Sequence, residues 1–473
     1  MLATSNAFKA HAGESLRDTG LQAALGYSTK HMQARRAAAV AGLPEFERLR
    51  DIGRDIKNHT LEHMDFYLDA YAKAVEAAGG TVHWCSTAAE AREAVLGICR
   101  EAGARTVTKG KSMISEEIGL NEHLELHGMV PVETDLAEYI LQLRKEAPSH
   151  IVAPAFHLGR ADWEAQFRLS HSHLPADRVF AERSDIMAEA RTELRTHFLG
   201  ADVGITGANF LIAETGSSVI VTNEGNGDLT QTLPRVHIAI AGIDKIVPTL
   251  EDTMSLVRLL ARSATGQDIS VYTTFSTGAR RPDDLDGPDA YHVVLIDNGR
   301  SSMLGTEFQE MLRCIRCAAC MNHCPVYGAV GGHAYGWVYP GPMGSVLTPA
   351  LVGVEKAGAL PNASTLCGKC EAVCPVKIPL PAMMRHWREK EFERHLTPVA
   401  QRRNLALWAY LARRPALYRA ATGAAAKVLG ALGGKRGRFA KMPMAGGWTA
   451  GRDLPAPEGE TFFARYEREK RAA

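Results

Sequence analysis

Between positions 314 and 375 the chain spells one cysteine pattern twice. Residues 314–325 read Cys-Ile-Arg-Cys-Ala-Ala-Cys-Met-Asn-His-Cys-Pro, a C-x2-C-x2-C-x3-C-P run. Residues 367–375 read Cys-Gly-Lys-Cys-Glu-Ala-Val-Cys-Pro, the same run without its first member. Seven of the nine cysteines fall in these two runs, and their spacing is that of metal ligands rather than of a disulfide framework.

The run is the ferredoxin-type signature for iron–sulfur clusters. Three thiolates two residues apart on a tight loop can reach three irons of one cube. The fourth, after a turn begins, points toward a second cluster. Proline suits the chain as it leaves the site, because it has no amide N–H to satisfy. By this crossover rule Cys314, Cys317, Cys320 and Cys374 hold a first [4Fe–4S] cluster completely. Cys324, Cys367 and Cys370 supply only three thiolates to a second. In register the missing ligand falls on Ser364. Water, a partner or a substrate are other sources, and a [3Fe–4S] centre is the remaining alternative.

Structural zinc is the competing reading, since zinc pairs one C-x2–4-C with another or with histidines. Two copies of the C-x3-C-P ending argue against it. Cys85 and Cys99 are expected to be buried core thiols, on a strand and a helix respectively. His323 and His333 are expected to be structural or exposed. Two clusters in one module with no flavin or haem motif pass single electrons between a donor and an acceptor.

At 473 residues the chain exceeds one core. Its 46% apolar and 23% charged residues are those of an ordinary soluble protein. The N-terminus has no secretory pattern and no run of about 18 apolar residues exists, so a cytoplasmic protein is expected. Residues 1–75 read as a helical segment, with one apolar periodicity over 46–78. From 76 to 300, short β-branched runs at 81–85, 106–108, 129–132, 150–152, 218–222, 236–241, 270–275 and 292–296 alternate with helical stretches such as 88–102 and 136–145. That alternation predicts an α/β domain with a mainly parallel sheet, whose ligands bind at the carboxyl ends of the strands. Residues 301–392 form the cluster domain, with an irregular connector at 328–349 and a helix at 381–395.

Residues 393–473 form a basic tail. Between Glu393 and Asp453 there is no acidic residue. Apolar residues interleave with arginines over 402–419, which suits an amphipathic helix at a membrane surface, a dock for an acidic partner, or a solvated face. Docking to a partner ranks first, because an electron carrier must meet its donor, and nucleic acid ranks last.

Other motifs are weaker. Lys109-Gly-Lys-Ser112 fails as a P-loop, because Arg105 stands where its first glycine belongs. Gly225-Asn-Gly227 follows a strand but lacks the last glycine of a dinucleotide loop. Glu133 and Asp135 follow a strand at its carboxyl end, where a pocket or a helix N-cap is equally expected. Glu214 sits on a glycine-rich loop that could present a ligand contact or simply fix a turn.

Several runs resemble the lactate-utilisation iron–sulfur protein family, of the B type. They are Asp297-Asn-Gly-Arg300, the cysteine run through Tyr327, Gly331–Pro342 and Leu366–Pro379, with Val107–Met113 and Gly204–Gly216 upstream. The resemblance implies a lactate-utilisation domain similar to the sugar-phosphate isomerase and CoA-transferase group, followed by an α-helical ferredoxin-like domain with two cluster sites. It also implies an electron carrier acting with companion subunits to oxidise L-lactate to pyruvate, with the seven cysteines as ligands and no catalytic residue of its own. The alternative makes this chain the catalytic subunit, with Lys109, Glu133, Asp135 and Glu214 lining a small-acid pocket and the clusters as internal acceptors. Abstraction of a hydride normally needs a flavin or nicotinamide, for which no sound motif is present.

Overall fold

The computed structural model describes residues 3–442, 446–449 and 451–472. Positions 1–2, 443–445, 450 and 473, parts of the expected helical segment and basic tail, lie outside them. The chain divides into two compact units, Met1–Glu391 and Phe392–Ala473.

Among the described residues the first unit contains ten strands: β1 (Thr81–Cys85), β2 (Thr106–Lys109), β3 (Val130–Glu133), β4 (Val203–Gly207), β5 (Phe210–Ile212), β6 (Ser217–Thr222), β7 (Val236–Gly242), β8 (Ile246–Val247), β9 (Tyr272–Ser276) and β10 (Ala290–Ile296). Six form a wholly parallel sheet in the order β1-β10-β7-β4-β2-β3. At its centre β7 reads Val-His-Ile-Ala-Ile-Ala-Gly with every residue buried. A parallel strand covered on both faces loses the apolar–polar alternation of a half-exposed one. The other four make a smaller mixed sheet, β8-β5-β6-β9. Thr87 and Thr249 accept backbone N–H bonds at the N-termini of Ala88–Glu101 and Leu250–Ala264, and so fix where these helices begin.

The sheet is mainly parallel, as the alternation predicts, but several local expectations need correction. Residues 150–152 are not a strand. The His150 ring accepts the N–H groups of Val152 (3.1 Å) and Ala153 (2.9 Å), so a side chain captures the donors a ladder would need. Conversely, β4 was hidden by its glycines. A Cβ on Gly204 would lie 1.8 Å from the carbonyl oxygen of Thr230, so this glycine marks close approach of the helix Asn226–Thr232, not a loop. The 46–78 periodicity covers two helices, Phe46–Glu62 and Met64–Ala77, broken at His63. The helix Gly341–Val352 begins within the expected irregular connector and runs past its end, entered through a proline at its first turn, where a missing N–H costs nothing.

The N-terminal helices close over both cysteine runs. Gln33 donates to the carbonyl of Asn322 (2.7 Å), and Arg36 to that of Val373 (3.0 Å). The buried guanidinium of Arg50 donates to the carbonyls of Cys374 (2.7 and 3.0 Å) and Ala372 (3.0 Å).

The second unit is helical, with helices Val399–Ala412, Pro415–Leu432 and Phe462–Ala472. The expected amphipathic stretch is split at Arg414-Pro415, because proline opens a new helix more readily than it continues one. Arg419 pairs with Glu467 (3.1 Å) and Arg468 with Glu460 (2.7 Å), while Leu407, Trp408 and Leu432 stay exposed. Among the described residues no helix is long and apolar enough to cross a membrane.

Candidate metal centre

The two cysteine runs share one backbone conformation. The residue before the second cysteine of the first run, Arg316, has φ 59°, and its counterpart Leu366 has φ 53°. The residue after that cysteine is Ala318 (φ 60°) in one run and Gly368 (φ 79°) in the other, and a four-residue helix follows each, Ala319–Asn322 and Lys369–Ala372. Left-handed conformations cost an L-residue about 1 kcal/mol or more. Here they recur at matched positions, turning successive thiols to one side of the loop.

That turning brings the thiols into two groups. Cys314, Cys317, Cys320 and Cys374 line one small cavity, about 20 Å³, whose other walls include Ile315, Met343, Val376 and Leu380. Burial pushes the Cys317 thiol up to about 12 and that of Cys374 up to about 11, and the neighbouring cysteines add to the rise for both. Cys324, Cys367 and Cys370 form the second group, each within electrostatic range of another. Burial raises Cys370 to about 12, whereas Cys367 is exposed and the Lys369 N–H holds its thiol below the ordinary value.

Backbone amides serve the sulfurs. The N–H of Ile378 donates to Cys374 Sγ (3.4 Å) and that of Tyr327 to Cys324 Sγ (3.5 Å). Four thiols around one apolar cavity, with N–H donors to sulfur, are a donor set suited to an iron–sulfur centre. Ser364 is half-buried, and its Oγ accepts from the Leu366 N–H (3.1 Å). The hydroxyl beside Cys367 is that of Thr365. His323 and His333 bind the carbonyls of Ala319 (2.9 Å) and Ala147 (2.8 Å). Cys85 and Cys99 lie on β1 and on Ala88–Glu101 and are buried.

A separate cavity of about 230 Å³ opens where the strands β2, β4 and β7 end. Its walls include Gly110–Ile114, Thr206–Asn209 and Ala241–Gly242 with Asp244 and Lys245; from the cysteine region come Arg316 and Tyr339. Of the four pocket residues expected from sequence, only Asp135 lines it. Asp135 also caps the helix Leu136–Arg144, accepting from Ala137 and Glu138 N–H groups. Lys109 and Glu133 form a buried pair at 2.7 Å, and Lys109 also meets Glu116 at 3.2 Å. Burial alone would lower the Lys109 ammonium, but Glu133, Glu116 and Glu138 outweigh it and hold it above its usual range. Glu214 accepts the N–H of Leu250 (3.0 Å), the first residue of the helix Leu250–Ala264.

The residues that sequence missed form a network at this second cavity, with Arg300, Asp244 and Tyr339 in its walls and Glu117 behind them. Arg300 is 1% exposed, binds Glu117 through Nη1 (2.9 Å) and Nη2 (2.6 Å), and reaches Asp244 through Nε (2.9 Å). Tyr339 donates to the same Glu117 (2.6 Å). The arginine of the Asp297-Asn-Gly-Arg300 run was a signal for this network; Glu117 and Asp244 carried none.

Comparison with known proteins agrees with both halves of this description. Residues 68–296 match the LUD domain and residues 310–378 the 4Fe-4S dicluster domain. The chain is 43% identical over 459 residues to lactate utilization protein B of Macrococcus caseolyticus, covering 96% of this chain and 95% of that one. It is 46% identical over 426 residues to lactate utilization protein B of Oceanobacillus iheyensis, covering 89% and 88%. The protein of the same name from Shouchella clausii is 43% identical over 457 residues, covering 96% and 95%. The chain therefore belongs to the lactate utilization protein B family.

Proposed function

We propose that this chain is the iron–sulfur electron-transfer subunit of a cytoplasmic complex that oxidises L-lactate to pyruvate together with companion subunits. The observation that carries the proposal is the convergence of Cys314, Cys317, Cys320 and Cys374 on one apolar cavity, with Cys324, Cys367 and Cys370 grouped beside one another. The first four would hold one [4Fe–4S] cluster. The other three would hold a second, with Ser364, solvent or a partner as the source of its fourth ligand. The clusters supply one-electron acceptors and donors.

The chain's own residues set how those centres behave. Apolar walls exclude water from the first group, and N–H donors to Cys374 and Cys324 stabilise added negative charge. Cys367 is exposed, so the second group is the one open to an exchange partner. Lactate oxidation yields two electrons and two protons. A chain with two one-electron centres suits a relay between the site of that chemistry and an acceptor. The basic second unit offers a docking surface for an acidic partner or for the inner face of the membrane.

The test is the iron and acid-labile sulfide content of anaerobically purified full chain, with EPR before and after reduction. About eight irons per chain are expected for two cubes, and about seven for one cube with a [3Fe–4S] centre. Bound zinc without an EPR signal would remove the electron-carrier proposal. A second reading, in which this chain itself binds the small acid, is favoured by the 230 Å³ cavity.

A further inference from the structure

The cavity at the ends of β2, β4 and β7 has polar walls whose hydrogen-bonding capacity is only partly used. Four cations line it, Lys111, Lys245, Arg300 and Arg316. Arg300 is fully engaged by Glu117 and Asp244. Among the described residues, the Lys111 ammonium donates to the carbonyl of Val152 alone. Lys245 makes no hydrogen bond or close ion pair among the described residues. The Arg316 guanidinium lies 4.9 Å from the Tyr339 ring centroid and 3.6 Å from Asp244 Oδ2, and its Nη1 is buried without a partner.

Acceptors in the same walls lack hydrogen bonds. Among the described residues, Asp244 Oδ2, apart from its 3.6 Å ion pair with Arg316, and Asn226 Oδ1 have no hydrogen-bond partner, although the two residues are 1% and 9% exposed. Leaving a buried polar atom unmatched costs about 1–3 kcal/mol. The Arg316 donor, these two acceptors and the Thr222 hydroxyl, all left open in one cavity, are matched by a molecule that brings an anionic acceptor and a hydroxyl donor. Charge compensation of a nearby cluster would account for the cations, but not for the acceptors without hydrogen bonds or for Lys111.

We infer that this cavity binds a small hydroxycarboxylate, whose carboxylate is received by Arg316 and Lys245 and whose hydroxyl donates to Asp244 or Asn226. The choice of L-lactate within that class rests on the proposed function; the class itself rests on the cavity. Arg316 also lies between Cys314 and Cys317 in the chain, so an anion on its guanidinium cancels positive field beside the first cluster. Binding then favours the oxidised cluster, and by linkage reduction weakens binding by the same factor. The cavity thereby couples its occupant to the redox state of the adjoining centre.

The experiment is calorimetric titration of anaerobic, iron-loaded full chain with L-lactate, pyruvate and inorganic phosphate, followed by a redox titration with and without saturating ligand. Saturable L-lactate binding is expected, weakened at least tenfold in Arg316→Gln and in Lys245→Met. The potential of the first cluster should fall on binding, by about 59 mV for each tenfold preference for the oxidised form. Arg316→Lys, which retains the charge beside the cluster, should keep its iron and still bind more weakly. No saturable carboxylate binding by iron-replete protein would overturn the inference and leave the electron-carrier proposal standing. So would binding indifferent to both Arg316→Gln and Lys245→Met, or binding of phosphate alone. Iron-free wild-type protein would instead sink the electron-carrier proposal, and L-lactate binding to it would still decide the cavity.

Discussion

His150 Nε2 and Asn322 Oδ1 meet at 3.1 Å, both side chains buried, joining a turn of the α/β region to the four-residue helix of the first cysteine run. His150 Nδ1 accepts two backbone N–H groups, so Nε2 carries the proton and donates it to Asn322. Burial lowers the imidazole to about 4, against an ordinary value of about 6.5. The folded protein therefore binds fewer protons than the unfolded chain in the window between these values. Stability is full above pH ~6.5 and falls as the pH drops toward ~4, by about 3 kcal/mol for this group alone. Denaturant midpoints of the anaerobic protein measured from pH 7.5 down to 5 should fall, and His150→Gln should lower stability at pH 7.5 while flattening that slope. An unchanged slope in the variant would mean that other groups carry the acid sensitivity.

Glu117 and Arg300 are 0% and 1% exposed in their side chains and paired at 2.6 Å. Glu117 also receives Asn298 (2.7 Å) and Tyr339 (2.6 Å), so one carboxylate ties the sheet to the cysteine region. Removing one member of such a network leaves its partner buried and uncompensated, at about 3–5 kcal/mol. Glu117→Gln and Arg300→Met should each lower the unfolding free energy, read from the denaturant midpoint and slope, by that amount. Arg300→Lys should rescue little, since an ammonium cannot reproduce a bidentate contact. Unfolding free energies within about 1 kcal/mol of wild type would contradict the network's role.

The proposed division of the nine cysteines, seven as cluster ligands and two as core thiols, is tested by iron content. Cys317→Ser should reduce iron from about eight to about four per chain and remove one EPR signal. Cys85→Ser and Cys99→Ser should leave iron unchanged and lower stability modestly, since both thiols are buried away from the two runs. Ser364→Ala is expected to keep its iron, because Cys324, Cys367 and Cys370 would still hold the second cluster and solvent can supply its fourth ligand. Loss of the second signal in that variant would instead make the serine a ligand.

The cysteine runs were legible because ligand spacing is local: a loop of two residues between thiols leaves few conformations. The register placing Ser364 opposite Cys314 reappears in matched left-handed residues, Arg316 with Leu366 and Ala318 with Gly368. The parallel sheet was legible too, since β7 and β10 are long β-branched runs. What sequence could not supply was long-range. Lys109 reads as a loop cation after a strand, and only the fold brings Glu133 and Glu116 to neutralise it. Lys111, two residues on, faces the cavity instead. Asp244 sits in an unremarkable Ile-Asp-Lys turn, and its meeting with Arg300 and Arg316 spans 56 and 72 positions of chain. No local pattern announces such a meeting.

The second unit carries exposed cations at Arg403, Arg413 and Lys427, on helices that also expose Leu407 and Trp408. It holds no cysteine, so charge reversal there should leave iron content and EPR signals untouched. If this unit docks an acidic companion subunit, Arg403→Glu, Arg413→Glu and Lys427→Glu combined should weaken that association at least tenfold near 0.05 M salt. The deficit should shrink toward 0.5 M, because exposed charges are screened beyond a few ångströms there. Cosedimentation with vesicles containing phosphatidylserine, measured on the same full-length proteins, separates the alternatives. Docking to a protein predicts that the reversal abolishes subunit association while wild-type chain stays off the vesicles. Wild-type chain that pellets with the vesicles, and a variant that does not, would assign the basic helices to the membrane surface instead.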